Sequence, residues 1–208
     1  MARQTIKYWQ DRPARDHGDW LEGEGEGDWL KGYKKSQSHP HRRLIIGAIL
    51  SCGEVDSVVE AGCNCGPNLA FIRDELKIPE NSLAGIDASE KAIAFGKREL
   101  PEADLRVGDM KKLPWRDGVF SIALADASLM YCDDEESRVV LKELIRVSRK
   151  AIIIVDRIKG NDFIWGRDYG ELLGELGYEV EAWKLGEADW PTSRGWQQDG
   201  FLWLARKK

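Results

Sequence analysis

The stretch Val58-Val59-Glu60-Ala61-Gly62-Cys63-Asn64-Cys65-Gly66-Pro67-Asn68-Leu69 constrains the fold more than any other part of the chain. Val58 and Val59 open it as a β-branched run, the mark of a buried strand. Gly62 and Gly66 then supply a tight turn where a side chain would block close approach. Pro67 suits the first position of a helix, and Leu69, Phe71 and Ile72 give that helix an apolar face. The unit is a strand, a glycine turn and a helix N-terminus. Such a terminus aims unpaired N–H groups and a partial positive charge at a ligand.

The spacing separates candidate ligands. A dinucleotide fold offers G-x-G-x-x-G, whereas these glycines read G-x-x-x-G, with no following G-K-[ST]. Glu60 at the strand end repels a pyrophosphate and suits an ammonium group. The stretch resembles motif I, E-x-G-x-G-x-G, of class I S-adenosylmethionine-dependent methyltransferases. Asn64 stands at the middle glycine, and Asn is the non-glycine residue that best tolerates positive φ.

Two further pieces fall in order. Ser82 to Ser89 reads as a second strand with Asp87 at its end, about 20 residues after Gly66, where nucleotide folds place a ribose-binding carboxylate. Gly85-Ile86-Asp87 resembles motif II of the same family. Asp104 to Met110 reads as strand three, with Asp109 at its tip. The resemblance implies that Asp109 and Met110 meet adenine, that Asp87 and Ala88 hold the ribose, and that Glu60, Gly62, Cys63, Asn64, Gly66 and Asn68 cradle the methionine part. The implied fold is α/β and Rossmann-like: a doubly wound, seven-stranded, mostly parallel sheet with an antiparallel last strand and helices on both faces.

The rest of the chain fits that frame. Pro40 opens a helix that runs to about Leu50, in which Arg42 or Arg43 suits a cofactor carboxylate. Phe120 to Asp126 is strand four, leading into Ala127-Ser128-Leu129-Met130-Tyr131-Cys132. In the family this loop faces the reactive methyl, so Asp126 is read as a general base or a holder of the ammonium, and Tyr131 as orienting the acceptor. Asp133 to Ser148 is an acid-started amphipathic helix, and Ala151 to Asp156 a strand buried on both faces. Tyr178 to Trp183 and Phe201 to Arg206 alternate like half-exposed strands, joined by a Trp-bearing loop from Gly186 to Gly200. The resemblance covers residues 41–208 as the cofactor-binding domain.

Residues 1–40 form a Trp-rich arm, read as either a solvated segment or a lid. Trp29, Tyr33, His41, Tyr131 and Trp190 are the acceptor-pocket candidates. The metal-dependent subgroup is disfavoured because Arg157 stands where it often has Asn, so no metal is expected. Cys52, Cys63, Cys65 and Cys132 contain no C-x-x-C pair and read as reduced thiols.

The net charge of −5 argues against nucleic acid or an anionic membrane as main partner. No apolar run reaches the ~18 residues of a membrane span, and the charged N-terminus lacks a signal peptide's apolar stretch. The expectation is a cytoplasmic methyltransferase, monomer or homodimer, using S-adenosylmethionine on an oxygen or nitrogen of a small molecule. Alternatives are a methyltransferase of protein or RNA, a non-catalytic S-adenosylmethionine-binding partner subunit, and a nicotinamide-dependent oxidoreductase, against which the glycine spacing speaks.

Overall fold

The computed structural model describes residues 5–11, 32, 36–191 and 193–207. Seven strands form one sheet: β1 (Val58–Ala61), β2 (Leu83–Asp87), β3 (Asp104–Val107), β4 (Phe120–Asp126), β5 (Ser148–Arg157), β6 (Tyr178–Lys184) and β7 (Gly200–Lys207). Their spatial order is β3-β2-β1-β4-β5-β7-β6. The first five run parallel, and β7 pairs antiparallel with both β5 and β6.

Helices cover both faces. On one side Ile45, Ala48, Ile49, Leu69, Ile72 and Ile93 pack on Val58, Ile122, Ile153 and Leu204. On the other, Val140, Leu141, Leu144 and Leu173 pack on Val59, Ala123, Ile152 and Trp203. The alternate residues of each central strand therefore enter different cores, which is why β1, β4 and most of β5 read as continuous apolar runs. The helix Asp134–Val147 starts as its sequence dictates. Asp133 accepts from the Glu136 N–H, and the Glu136 side chain accepts from the Asp133 N–H.

Two expectations need correction. β7 is not half-exposed: Leu202, Trp203, Leu204 and Ala205 are all buried. Leu202 and Leu204 enter one core and Trp203 and Ala205 the other, so both of its faces are covered. The 186–200 segment is not all loop, because Arg194–Asp199 forms a short helix that buries Trp196.

The topology sets the place of a site. Strand order reverses between β1 and β4, and open α/β sheets bind ligands at such a switch point, outside the carboxyl ends of the strands. Glu60 and Asp126 stand at those two ends.

Candidate functional site

The turn after β1 is built for close approach. Gly62 has φ +77°, and a Cβ there would run into the Cβ of Ser128. Ser128 in turn donates its hydroxyl to the Ala61 carbonyl at 2.9 Å, tying the loop after β4 to the end of β1. Asn64 adopts φ 51°, the left-handed region its side chain tolerates. Its Oδ1 accepts from the Cys65 N–H at 2.7 Å, which fixes the turn locally. Gly66, at φ 81°, ends the turn and precedes the helix Pro67–Leu76.

Asp87 closes this turn from the next strand. Its two oxygens accept from the Asn64 N–H and the Ser89 N–H, both at 2.8 Å. Burial pushes its carboxyl up against the opposite pull of those bonds. Asp109 lies just past β3 and accepts from the Lys111 N–H at 2.9 Å, while Met110 packs against the second core.

A buried polar chain lies across the switch point. Asn68 Nδ2 donates to Glu60 Oε1 at 2.6 Å and to Asp126 Oδ2 at 2.9 Å. His41 Nε2 meets the same Asp126 oxygen at 2.9 Å. Glu60 and Asn68 are almost fully buried, as is His41. Burial pushes the Glu60 carboxyl up to about 8, with the Asp126 charge adding to the rise. Burial also pushes Asp126 upward, but His41, Arg42 and Asn68 outweigh it and hold Asp126 below the usual carboxylate range. The two carboxylates thus sit on opposite sides of neutrality.

Residues 58–151 match the family model described as a methyltransferase domain. That match spans a little under half of the chain and likens it to methyltransferases. Similar folds include geranyl diphosphate C-methyltransferase from Streptomyces coelicolor A3(2), at TM-score 0.68 and 14% identity, covering 98% of this chain and 96% of that one. Magnesium protoporphyrin IX methyltransferase from Synechocystis PCC 6803, solved with bound S-adenosylhomocysteine, gives 0.63 and 12% over 89% and 90%. A putative methyltransferase of Haloferax volcanii, solved with the Trm112 methyltransferase activator, gives 0.65 and 16% over 86% and 93%. At such identities the likeness shows the fold alone. A comparison with curated proteins finds no significant match.

S-adenosylmethionine is the cofactor that a methyltransferase match implies, and the buried chain fits it. Three acceptor oxygens there have no hydrogen-bond donor among the described residues: Glu60 Oε2, Asn68 Oδ1 and Asp126 Oδ1. Orphaned acceptors in a buried cluster are costly unless a ligand completes them. An amino-acid ammonium carries three N–H donors, the number this cluster lacks.

The other expected positions sort as follows. Cys63 and Cys65 are buried free thiols, with Cys65 pushed up to about 12 mainly by burial, so both line the turn as inert packing. Ala88 sits beside Asp87, half-buried. Arg42 is buried and donates to the Ser36 carbonyl, whereas Arg43 is exposed. Tyr131 lies edge-on to Trp9 of the short helix Ile6–Asp11, with ring centroids 5.0 Å apart. Trp190 packs on His41 at 4.4 Å and stacks on Trp196 at 4.1 Å. Trp29 and Tyr33 lie outside the described residues. No cluster of three His, Cys, Asp or Glu able to hold a metal occurs among the described residues. No helix among them is long and apolar enough to cross a membrane.

Sequence reasoning missed two residues. His39 stands 2.6 Å from His41, Nδ1 to Nδ1. Arg167 donates to the Leu129 and Cys132 carbonyls, to Ser137 Oγ and to Tyr169 OH, clamping the loop after β4 from behind. The His-Pro-His spacing was a usable signal for the first. Nothing local marks Arg167, which reaches that loop across more than thirty residues of chain.

Proposed function

We propose that this enzyme moves the methyl group of S-adenosylmethionine to an oxygen or nitrogen atom of a small-molecule acceptor by in-line displacement, in the cytoplasm. The observation that carries the reading is the set of donor-starved oxygens on Glu60, Asn68 and Asp126, with Trp190 packed on the His41 ring that meets Asp126. Bound there, S-adenosylmethionine supplies an electrophilic methyl on a sulfonium. Glu60, Asn68 and Asp126 hold its ammonium, and Arg42 faces its carboxylate. The turn of Gly62, Cys63, Asn64 and Gly66 admits its backbone, Asp87 and Ala88 take the ribose, and Asp109 with Met110 take the adenine.

The protein's task is then placement and exclusion of water. Orientation of the reacting atoms is worth roughly 7–11 kcal/mol of such a barrier. Asp126 is already committed to His41 and Asn68 and held ionised, so it binds and orients rather than takes a proton. Tyr131, His41 and Trp190 surround the acceptor. The contact between Trp9 and Tyr131 supports residues 1–40 as a lid over residues 41–208. The net charge of −5 favours a small acceptor over RNA.

The test pairs calorimetry of S-adenosylmethionine binding with transfer of labelled methyl to a panel of small hydroxyl and amine compounds, with RNA and protein run in parallel. Small-molecule labelling is expected, together with unchanged binding in EDTA. Labelling confined to RNA or protein would overturn the proposed acceptor class.

A further inference from the structure

In the proposed reading Glu60 and Asp126 take up the cofactor's ammonium and His41 borders the acceptor, which leaves His39, joined to Asp126 through His41, without a task. Asp126 Oδ2 is 2.9 Å from His41 Nε2, and His41 Nδ1 is 2.6 Å from His39 Nδ1. The His41 and Asp126 side chains are 3% and 6% exposed, whereas His39 is half-buried and keeps a face toward the outside. Trp190 packs against both rings, with centroids 4.4 Å from His41 and 4.7 Å from His39.

The geometry points to a three-membered proton relay in which His39 takes a proton from the acceptor and His41 passes the charge to Asp126. Resting on the methyltransferase reading above, it narrows the acceptor to one whose nucleophilic atom carries a removable proton, an alcohol, a phenol or an amine.

The tautomers follow from the bonds. Asp126 is ionised and only accepts, so His41 Nε2 carries hydrogen. With His41 neutral, its Nδ1 is bare and accepts from His39 Nδ1–H. The outer nitrogen of His39, Nε2, is then a lone pair. Charged groups around the pair are Asp126 on β4, Glu60 on β1 across Asn68, and Arg42 on the histidines' own segment. Burial is the first cause that lowers the His39 imidazole, to about 4, so at neutral pH it is unprotonated.

The step balances. The acceptor's O–H or N–H bond breaks as its electron pair forms the bond to the methyl carbon. The old methyl bond to sulfur breaks, and its electrons stay on sulfur. The proton goes to His39 Nε2, the His39 Nδ1 proton crosses to His41 Nδ1, and the positive charge rests beside the Asp126 carboxylate. The relay returns to its first state when the proton leaves through His39 to solvent.

The test is nitrogen-15 imidazole NMR of the full chain between pH 5 and 9, with and without S-adenosylhomocysteine. At high pH, His41 is expected to carry hydrogen on Nε2 and His39 on Nδ1. Asp126→Asn should let hydrogen appear on His41 Nδ1, because the carboxylate that demands a donor at Nε2 is gone. His39→Gln should bind S-adenosylhomocysteine within two-fold of the parent, yet lose a hundred-fold or more in kcat on a phenol. A thiolate acceptor, which brings no proton, should lose less than five-fold. Hydrogen on His39 Nε2 at high pH, or equal losses on both acceptors, would overturn the relay. Failure of the underlying reading shows differently, as absent cofactor binding by the unaltered protein.

Discussion

Replacing Glu60 with Gln isolates the group on which the proposed cofactor site depends. Burial holds the Glu60 carboxyl at about 8, so near pH 7 about a tenth of free protein carries it ionised. An ammonium requires the carboxylate. Binding at pH 7 must therefore drive off a proton at a cost of about 1.4 kcal/mol, and at pH 6 roughly twice that. The cost vanishes a little above pH 8. Glu60→Gln keeps the shape and one accepting oxygen but forfeits a charge-assisted bond, about 1.5–3 kcal/mol at any pH. The ratio of variant to parent Kd should thus climb close to ten-fold per unit from pH 6 to 8. The ligand's own amino group titrates near ~8, but equally in both proteins, and cancels in the ratio. Calorimetry with S-adenosylhomocysteine in two buffers of different ionisation enthalpy reads both quantities. The parent should release about 0.9 proton at pH 7, and the variant none from this position. A flat ratio, or equal proton release from both, would show that Glu60 does not face the ammonium.

Other perturbations address the surrounding frame. Gly62→Ala places a Cβ on Ser128 at φ +77° and should cost about 2–5 kcal/mol in urea unfolding, from backbone strain plus overpacking; a loss under 1 kcal/mol would contradict the tight packing of this turn. Asp87→Ala removes the acceptor of two N–H groups that shape the cofactor turn. It should weaken S-adenosylmethionine by roughly 1–3 kcal/mol in calorimetry, and unchanged affinity would refute its placement. Asp156 is wholly buried and its carboxyl is pushed up to about 8 from 3.8, chiefly by burial. The folded state binds that proton more tightly than the unfolded one. Its share of stability is therefore full below about pH 4 and is lost as pH rises to about 8. Asp156→Asn should unfold at higher urea than the parent at pH 9 and show little advantage at pH 4; the reverse ordering would be inconsistent with the burial cause.

The cofactor half of the molecule was legible because its determinants are local. Glu60, the two glycines, Asn64 and Pro67 lie within eight residues and carry a turn whose backbone angles only such residues tolerate, as the φ of 51° at Asn64 bears out. Strand ends at Asp87, Asp126 and Asp156 were marked by an acidic residue after an apolar run. β7 was misread as half-exposed because a sheet order that inserts it between β5 and β6 carries it inward, where its alternate residues enter both cores. The helix Arg194–Asp199 was missed because six residues give too little periodicity to read.

Sequence alone determined the parallel α/β plan, the glycine turn and the acidic positions along it, since each follows from backbone sterics and side-chain period within one short segment. Tertiary structure decided which of those groups meet. Asn68 joins Glu60 to Asp126, and His41 reaches Asp126 across 85 positions. His39 enters the site through His41, and Arg167 braces the loop after β4 from a distant stretch. Such pairings cost loop closure and burial, and they are set by how helices and strands pack around the switch point, which no local pattern of residues records.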